Sequence, residues 1–149
     1  MQQEPGVAGV AHAIQLSVAP VFLLSGIAAM LAVMTGRLGR IVDRARGLRG
    51  EAHDSDGETP AELHEEMAAL SRRAKFIGGA ITLCTVTALL IATVIAVLFV
   101  AAFLDRDFST IVAGLFIAAM ATLIAALLLF LREVLVATAT RRIELQRRL

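Results

Sequence analysis

Three long apolar stretches limit what this chain can fold into more than any other feature of its sequence. Residues 14–35, 77–104 and 111–131 contain no Asp, Glu, Lys, Arg or His. Each stretch reaches the roughly 20 residues that an α-helix needs to cross about 30 Å of hydrocarbon. A soluble domain of 149 residues has no core large enough for three such segments. The sequence therefore predicts an all-α integral membrane protein with three transmembrane helices.

The basic residues beside these stretches predict its orientation. Eight of the 14 Lys and Arg residues lie between the first and second stretches, and five follow the third. In the sequence between the second and third stretches, the single basic residue is Arg106. Because loops rich in Lys and Arg stay in the cytoplasm, we expect the amino terminus outside and the carboxyl terminus inside.

The predicted organisation is a single membrane domain with seven consecutive segments. They are an outer amino-terminal segment (1–13), the first span (14–35), a cytoplasmic helical hairpin (36–76), the second span (77–104), an outer loop (105–110), the third span (111–131) and a cytoplasmic tail (132–149). Pro20 leaves two alternatives for the first span. Either Ser17 caps a helix that starts there, or Pro20 lies inside a helix that starts earlier.

The segment between the first two spans has the pattern of two helical arms. Apolar residues recur at steps of three and four in both arms: Leu38, Ile41, Ala45 and Leu48 in the first, and Leu63, Met67, Leu70 and Ala74 in the second. Such stripes predict an antiparallel pair that resembles a short coiled coil. Residues 50–58 form the expected polar turn, and Thr59-Pro60-Ala61-Glu62 has the pattern of a capping box.

Small residues at helical spacing predict helix-packing faces in the second and third spans. They are Ala80, Cys84, Ala88, Ala92 and Ala96, followed by Gly114, Ala118, Thr122 and Ala126. Such residues let helix backbones approach closely in lipid. The partner of these faces, within one protomer or in a second copy, stays open.

A small and weakly polar stripe distinguishes the first span. It consists of Ser17, Ser25, Ala28, Ala32 and Thr35, with Gly36 at its end. One interpretation is ordinary helix packing, which Ser and Thr commonly support in membranes. The other is the lining of a narrow water path in a homo-oligomer. Both stay open at this point.

The basic residues next to the first span allow a more specific hypothesis. Arg37, Arg40 and Arg44 follow three- and four-residue spacing. Around an axis through the first span they would form positive rings at a cytoplasmic mouth, favouring anions or repelling cations. The alternative is that the basic residues at the membrane, Arg72, Arg73 and Lys75 included, simply anchor the protein on anionic lipid.

The spans carry no residue pattern typical of catalysis. They contain no paired carboxylates, no nucleophile beside a base and no cluster of His and Cys. An acidic cluster in the hairpin turn, His53, Asp54, Asp56 and Glu58, lacks the ligand spacing of an EF-hand loop, so we interpret it as a solvated turn. We expect no enzyme activity, no cofactor and no metal site.

Two runs of sequence resemble a known family. They are LSVAPVFLLSG at residues 16–26 and TGRLGRIVDRAR at residues 35–46, in which R-x-x-R-I-V-D-R is the most recognisable part. Together with the pattern of spans around them, they resemble a bacterial family of small three-span membrane proteins, domain-of-unknown-function family 2721. The resemblance covers nearly the whole chain. It implies a protein of the bacterial inner membrane and carries over no activity or catalytic residue.

The sequence leads to two expectations about function. The first is a homo-oligomeric passive pore for ions or small solutes, lined by the first span. The alternative is a membrane-anchored interaction or scaffold module whose hairpin docks a cytoplasmic protein. Membrane lipid is an expected partner in both, and nucleic acid in neither.

Overall fold

The structure is a computed structural model. It describes the backbone of residues 5–54, 61–104 and 107–147, and the side chains of residues 9–50, 63–104 and 107–135. The described chain is all helical, with α1 at Pro5–Asp54, α2 at Ala61–Leu104 and α3 at Ser109–Arg147. Each helix contains a segment long and apolar enough to cross a membrane: Gly9–Gly50, Leu63–Leu104 and Ser109–Leu135. The expectation of an all-α protein with three such helices is therefore confirmed.

Helix α1 resolves the alternatives that Pro20 left open. The helix begins at Pro5 and continues through Pro20, which is buried. Proline suits the first helical position at residue 5, but at residue 20 it supplies no N–H to the carbonyl of Leu16. Ser17 lies inside the helix and donates its hydroxyl to the carbonyl of Ile14 at 2.8 Å, so it is not a cap.

The ends of the helices differ in places from the predicted segments. Helix α1 extends to Asp54, so residues 50–54 of the expected polar turn are helical. Helix α2 begins at Ala61, and Thr59 and Pro60 of the predicted capping box, together with residues 55–58 of the predicted turn, lie outside the described residues. Helix α3 begins at Ser109, two residues before the third apolar stretch, and the Asp107 carboxylate accepts the backbone N–H of Ser109 at 2.8 Å.

The helices contribute to two compact units. The first unit comprises residues 1–31 and 83–124, and the second comprises residues 32–82 and 125–149. In the first unit, Thr87 of α2 and Thr122 of α3 share a hydrogen bond of 2.9 Å between their hydroxyls. The Cys84 thiol lies 3.9 Å from the Met30 sulfur. In the second unit, Arg44 of α1 pairs with Glu66 of α2 at 3.0 Å.

Buried side chains follow a seven-residue repeat on each helix. On α1 they are Ala13, Ser17, Pro20, Ile27, Met34, Ile41 and Leu48. On α2 they are Leu70, Ile77, Ala80, Cys84, Thr87, Ile91 and Val94, and on α3 they are Ala119, Ala126 and Glu133. Half-buried residues such as Leu31 and Leu129 fill the intervening steps of three and four. This is the spacing of helices that pack as in a coiled coil.

The predicted small-residue faces only partly coincide with these buried stripes. Ala80, Cys84 and Ala126 are buried, Ala88 and Thr122 are half-buried, and Ala92, Ala96, Gly114 and Ala118 face outward. The reason is geometric. A step of four residues turns about 40° too far around a helix, so a run of such steps leaves the packed face, whereas alternating steps of three and four stay on it.

Candidate functional site

A buried carboxylate on α3 is the centre of the most unusual polar cluster that the structure describes. The Glu133 side chain is 1% exposed, and both of its oxygens accept hydrogen bonds from arginines. Arg37 of α1 donates to Oε2 at 2.8 Å. Arg73 of α2 donates to Oε1 from its Nη2 at 3.0 Å and from its Nε at 3.3 Å. One carboxylate therefore links all three helices within the second unit.

The helical repeat explains why Glu133 points inward. Ala126, Leu129 and Glu133 follow steps of three and four along the buried stripe of α3. On α2, Arg73 likewise lies between the buried Leu70 and Ile77. The packed face thus changes from apolar to ionic where the third apolar stretch ends.

Aromatic rings contact two arginines in this region, one from the cluster and one beside it. The guanidinium of Arg37 lies 5.4 Å from the centre of the Phe130 ring. That of Arg132 lies 4.8 Å from the centre of the Phe76 ring. A cation over a ring face gains roughly 0.5–1 kcal/mol at exposed sites, so these contacts help to fix the guanidinium planes.

The charges of the cluster do not cancel. Two arginines and one carboxylate leave a net charge of +1, and the arginine side chains are 34% and 29% exposed. A carboxylate that lost its contact with water would be costly without such partners. Among the described side chains no buried nitrogen or oxygen lacks a hydrogen bond, so the burial of Glu133 is fully compensated.

The three arginines of the predicted mouth have different surroundings. Arg37 is half-buried and bound to Glu133, whereas Arg44 is exposed and paired with the exposed Glu66. Arg40 is exposed, and no ion pair with it is found among the described side chains. Asp43 lies 3.8 Å from Arg46 across one helical turn, with both side chains 75% exposed. Arg40 therefore presents its charge most openly.

The predicted stripe of the first span lies mainly on the outer surface. Ser17 is buried, but Ser25, Ala28, Ala32 and Thr35 are exposed. The Ser25 and Thr35 hydroxyls donate to carbonyls of their own helix, those of Val21 at 3.3 Å and Ala32 at 3.1 Å. A Cβ at Gly26, Gly36 or Gly39 would meet open space. We call the exposed residues 25, 28, 32 and 35 the α1 outer stripe.

Comparison with known proteins places this chain in a family. A family model described as "Protein of unknown function (DUF2721)" matches residues 17–143. The chain belongs to this family. No curated protein and no solved structure matches it. The resemblance inferred from the two sequence runs is therefore confirmed.

The DUF2721 match includes every residue of the cluster formed by Glu133 and its two arginines, which we call the ionic cluster. Arg37, Arg73 and Glu133 all lie within residues 17–143, as do Phe76 and Phe130. The cluster is thus built from the part of the chain that the family model covers.

The sequence pattern points to Arg37 but not to Glu133. The available signal was its position, because Glu133 is an acidic residue two positions after the third apolar stretch, in a region otherwise marked by arginine. It also lies seven residues after Ala126 and fourteen after Ala119, on the packed face. Once the buried face of α3 is known, a repeat of seven residues places Glu133 on it.

The described side chains contain no group of three His, Cys, Asp or Glu residues that could hold a metal ion. The acidic cluster of the hairpin turn lies outside these residues. Cys84 is buried, and its thiol contacts the sulfur of Met30 within the first unit.

Proposed function

We propose that this DUF2721 protein is an inner-membrane protein of bacteria with its amino terminus outside and its arginine-rich hairpin and carboxyl terminus in the cytoplasm. The distribution of basic residues along the sequence supports this orientation. The pairing of Arg44 with Glu66, and of Arg37 and Arg73 with one carboxylate, supports an antiparallel hairpin. In this proposal the Glu133 cluster fixes the hairpin to α3.

The proposed activity is that of a homo-oligomeric passive pore for ions or small solutes. One observation carries it: the α1 outer stripe is exposed, while a different face of α1 supplies the packing inside the protomer. Small residues permit close helix approach in lipid, where there is little hydrophobic drive for association. Copies that meet along this stripe would bring Ser25 and Thr35 to a common path.

Fewer arginines are free to act at the mouth of the proposed pore than the sequence suggested. Because Arg37 is held by Glu133 and Arg44 by Glu66, Arg40 is the residue that would set ion preference. Arg37 would instead position the helices. This distinction separates the roles of two arginines that are only three residues apart.

Flux from reconstituted vesicles tests the pore. We expect Ala28→Trp and Ala32→Trp to reduce anion flux to that of protein-free vesicles, because the indole fills the path. Val33→Trp is the matched control, since Val33 is exposed at the same depth on another side of α1. Arg40→Glu should shift the preference from anions towards cations. Absence of flux in the wild-type protein, or equal flux in all variants, would rule out the pore.

The second candidate is an interaction module without transport. The ion pairs of Arg37 and Arg44 favour it, since they weaken the field expected at a conducting mouth. The first arm also exposes Val42, Asp43 and Arg46 as a mixed apolar and charged surface. In this proposal a cytoplasmic protein docks on the hairpin, Asp43→Arg would abolish its binding, and vesicles with the wild-type protein would show no flux.

Both proposals share the remaining expectations from sequence. The protein is not an enzyme in either, needs no cofactor or metal and binds no nucleic acid. Membrane lipid is its partner in both, and a second copy of the chain is its partner in the pore.

A further inference from the structure

The first unit contains a cavity that the proposed function does not use. Its volume is about 680 Å³, within the range of sites that bind small molecules. It lies between α1, α2 and α3, and its walls are almost entirely apolar. The cavity stays open because much of its wall is made of small residues: Gly9, Ala13, Ala19, Ala101, Ala102 and Ala113.

The apolar part of the cavity is accessible from the surface that faces lipid. Leu16 and Phe116 line it and are 49% and 38% exposed. Both residues belong to segments apolar enough to lie within the hydrocarbon. A hydrocarbon chain can therefore enter from the side and exchange one apolar environment for another, gaining contact with the cavity walls.

The polar part of the cavity lies where α3 begins. Asp107 and Ser109 line it there, and His12 of α1 also lines the cavity. The Asp107 carboxylate is occupied on one side by the backbone N–H of Ser109 at 2.8 Å. Hydrogen bonds from Ser109 also lower the pKa of Asp107, so this carboxylate stays ionised near neutral pH. Its remaining lone pairs can accept from a ligand.

We propose that this cavity binds one zwitterionic phospholipid with a primary-amine headgroup. One acyl chain occupies the apolar cavity, the ammonium group donates to Asp107, and His12 donates an imidazole N–H to the phosphate. The proposal rests on the protein's three membrane-spanning helices and is independent of the pore.

The charge around the polar end selects this headgroup over an anionic one. None of the described residues that line the cavity is Lys or Arg. Among these residues Asp107 is the one acidic residue, so its carboxylate sets the charge of the polar end. An anionic headgroup without an amine would bring a second negative charge close to this carboxylate with no cation to offset it, whereas an ammonium group forms a charge-assisted hydrogen bond to it.

Native mass spectrometry of the full-length protein in detergent tests the site, with dioleoyl phosphatidylethanolamine and dioleoyl phosphatidylglycerol added in equal amounts. We expect the wild-type protein to retain phosphatidylethanolamine preferentially. Ala113→Phe, which fills the cavity from α3, should reduce retention about tenfold, equivalent to about 1.4 kcal/mol. The matched control is Ala121→Phe, at an exposed position of the same helix that does not line the cavity.

A second pair of variants separates the headgroup from the acyl chain. Asp107→Asn keeps a residue that caps a helix well but removes the charge, so it should lose the preference between the two lipids and still retain lipid. If Ala113→Phe does not fold, Ala19→Phe fills the cavity from α1 instead. Equal retention by the wild-type protein and the cavity-filling variant, or preference for phosphatidylglycerol, would overturn the proposal.

Discussion

At the level of single residues, Glu133 shows how one buried carboxylate is stabilised between helices. Its oxygens receive separate arginines, Arg37 on Oε2 and Arg73 on Oε1. Hydrogen bonds between charged groups contribute roughly 1.5–3 kcal/mol each when they are shielded from water. Here both arginines are about a third exposed, so each contact contributes less than it would in a dry interior.

Replacing Glu133 with Gln should therefore destabilise the protein by about 1–3 kcal/mol, because two neighbouring guanidinium groups lose their shared anion. The free energy of unfolding in mixed detergent micelles measures this loss. Glu65→Gln makes the same chemical change at an exposed position and should have little effect. A Glu133→Gln variant as stable as the wild-type protein would contradict the assigned role of the cluster.

Asp107 gives a second prediction, which concerns pH. Its hydrogen bonds with Ser109 lower its pKa below the ordinary value of 3.8 in the folded state. A group with a lowered pKa contributes stability that is fully present above its unfolded pKa and is lost as the pH falls through the folded pKa. Thermal melting of the wild-type protein should thus show a stability term that disappears in strong acid.

The variant Asp107→Asn isolates the contribution of the Asp107 charge to stability. Asn caps helices about as well as Asp but does not titrate, so the difference in melting temperature between the wild-type protein and Asp107→Asn should shrink as the pH falls below 3.8. A difference that stays constant with pH would show that the charge of Asp107 does not stabilise the start of α3.

At the level of the helices, whether a small residue is buried depends on the register of the packed face rather than on a spacing of four residues. Gly114 and Ala118 are four residues apart, as small residues are in many packed membrane helices, yet both face outward. Ala119 and Ala126 are seven residues apart and fully buried. Two neighbouring alanines of α3 therefore have opposite environments.

This contrast predicts a pair of variants with different stability. Ala119→Leu should destabilise the protein by about 1–3 kcal/mol, because the larger side chain overfills a closely packed site. Ala118→Leu should be tolerated in a monomer, since Ala118 is exposed. Unfolding in detergent measures both, and equal stability of the two variants would argue against the buried stripe of α3.

At the level of the whole molecule, orientation in the membrane is the property that most determines what the hairpin can meet. Accessibility of single cysteines in a Cys84→Ala background tests it. We expect Gly47→Cys to react with a membrane-impermeant maleimide only after cells are permeabilised, and Ser109→Cys to react in intact cells. Both positions are exposed, and neither change removes a charge. The reverse pattern of labelling would invert the proposed topology.

The pore proposal also predicts that several copies assemble and meet along the α1 outer stripe. Cysteines at Ala28 should cross-link between copies in the membrane, whereas cysteines at Val33 should not. Both residues are exposed in the protomer, so exposure alone does not distinguish them. Equal cross-linking at the two positions would show that copies do not meet along this stripe.

The candidate site was only partly predictable from the sequence. Arg37 was singled out as a basic residue next to the first span, but its partner is 96 positions away in the chain, and Arg73 lies 60 positions from Glu133. No local pattern links residues so far apart. The fate of Pro20 was also open, because a local sequence permits both a cap at Ser17 and a longer helix.

The sequence alone determined that three helices are long and apolar enough to cross a membrane, and it determined the family. Transfer into lipid depends on residue type summed over one continuous segment, which can be evaluated without knowing what the segment touches. Only the tertiary structure decided which face of each helix is buried and that Glu133 lies between Arg37 and Arg73. Those features depend on how side chains from different helices meet, and such contacts are not encoded in any one segment.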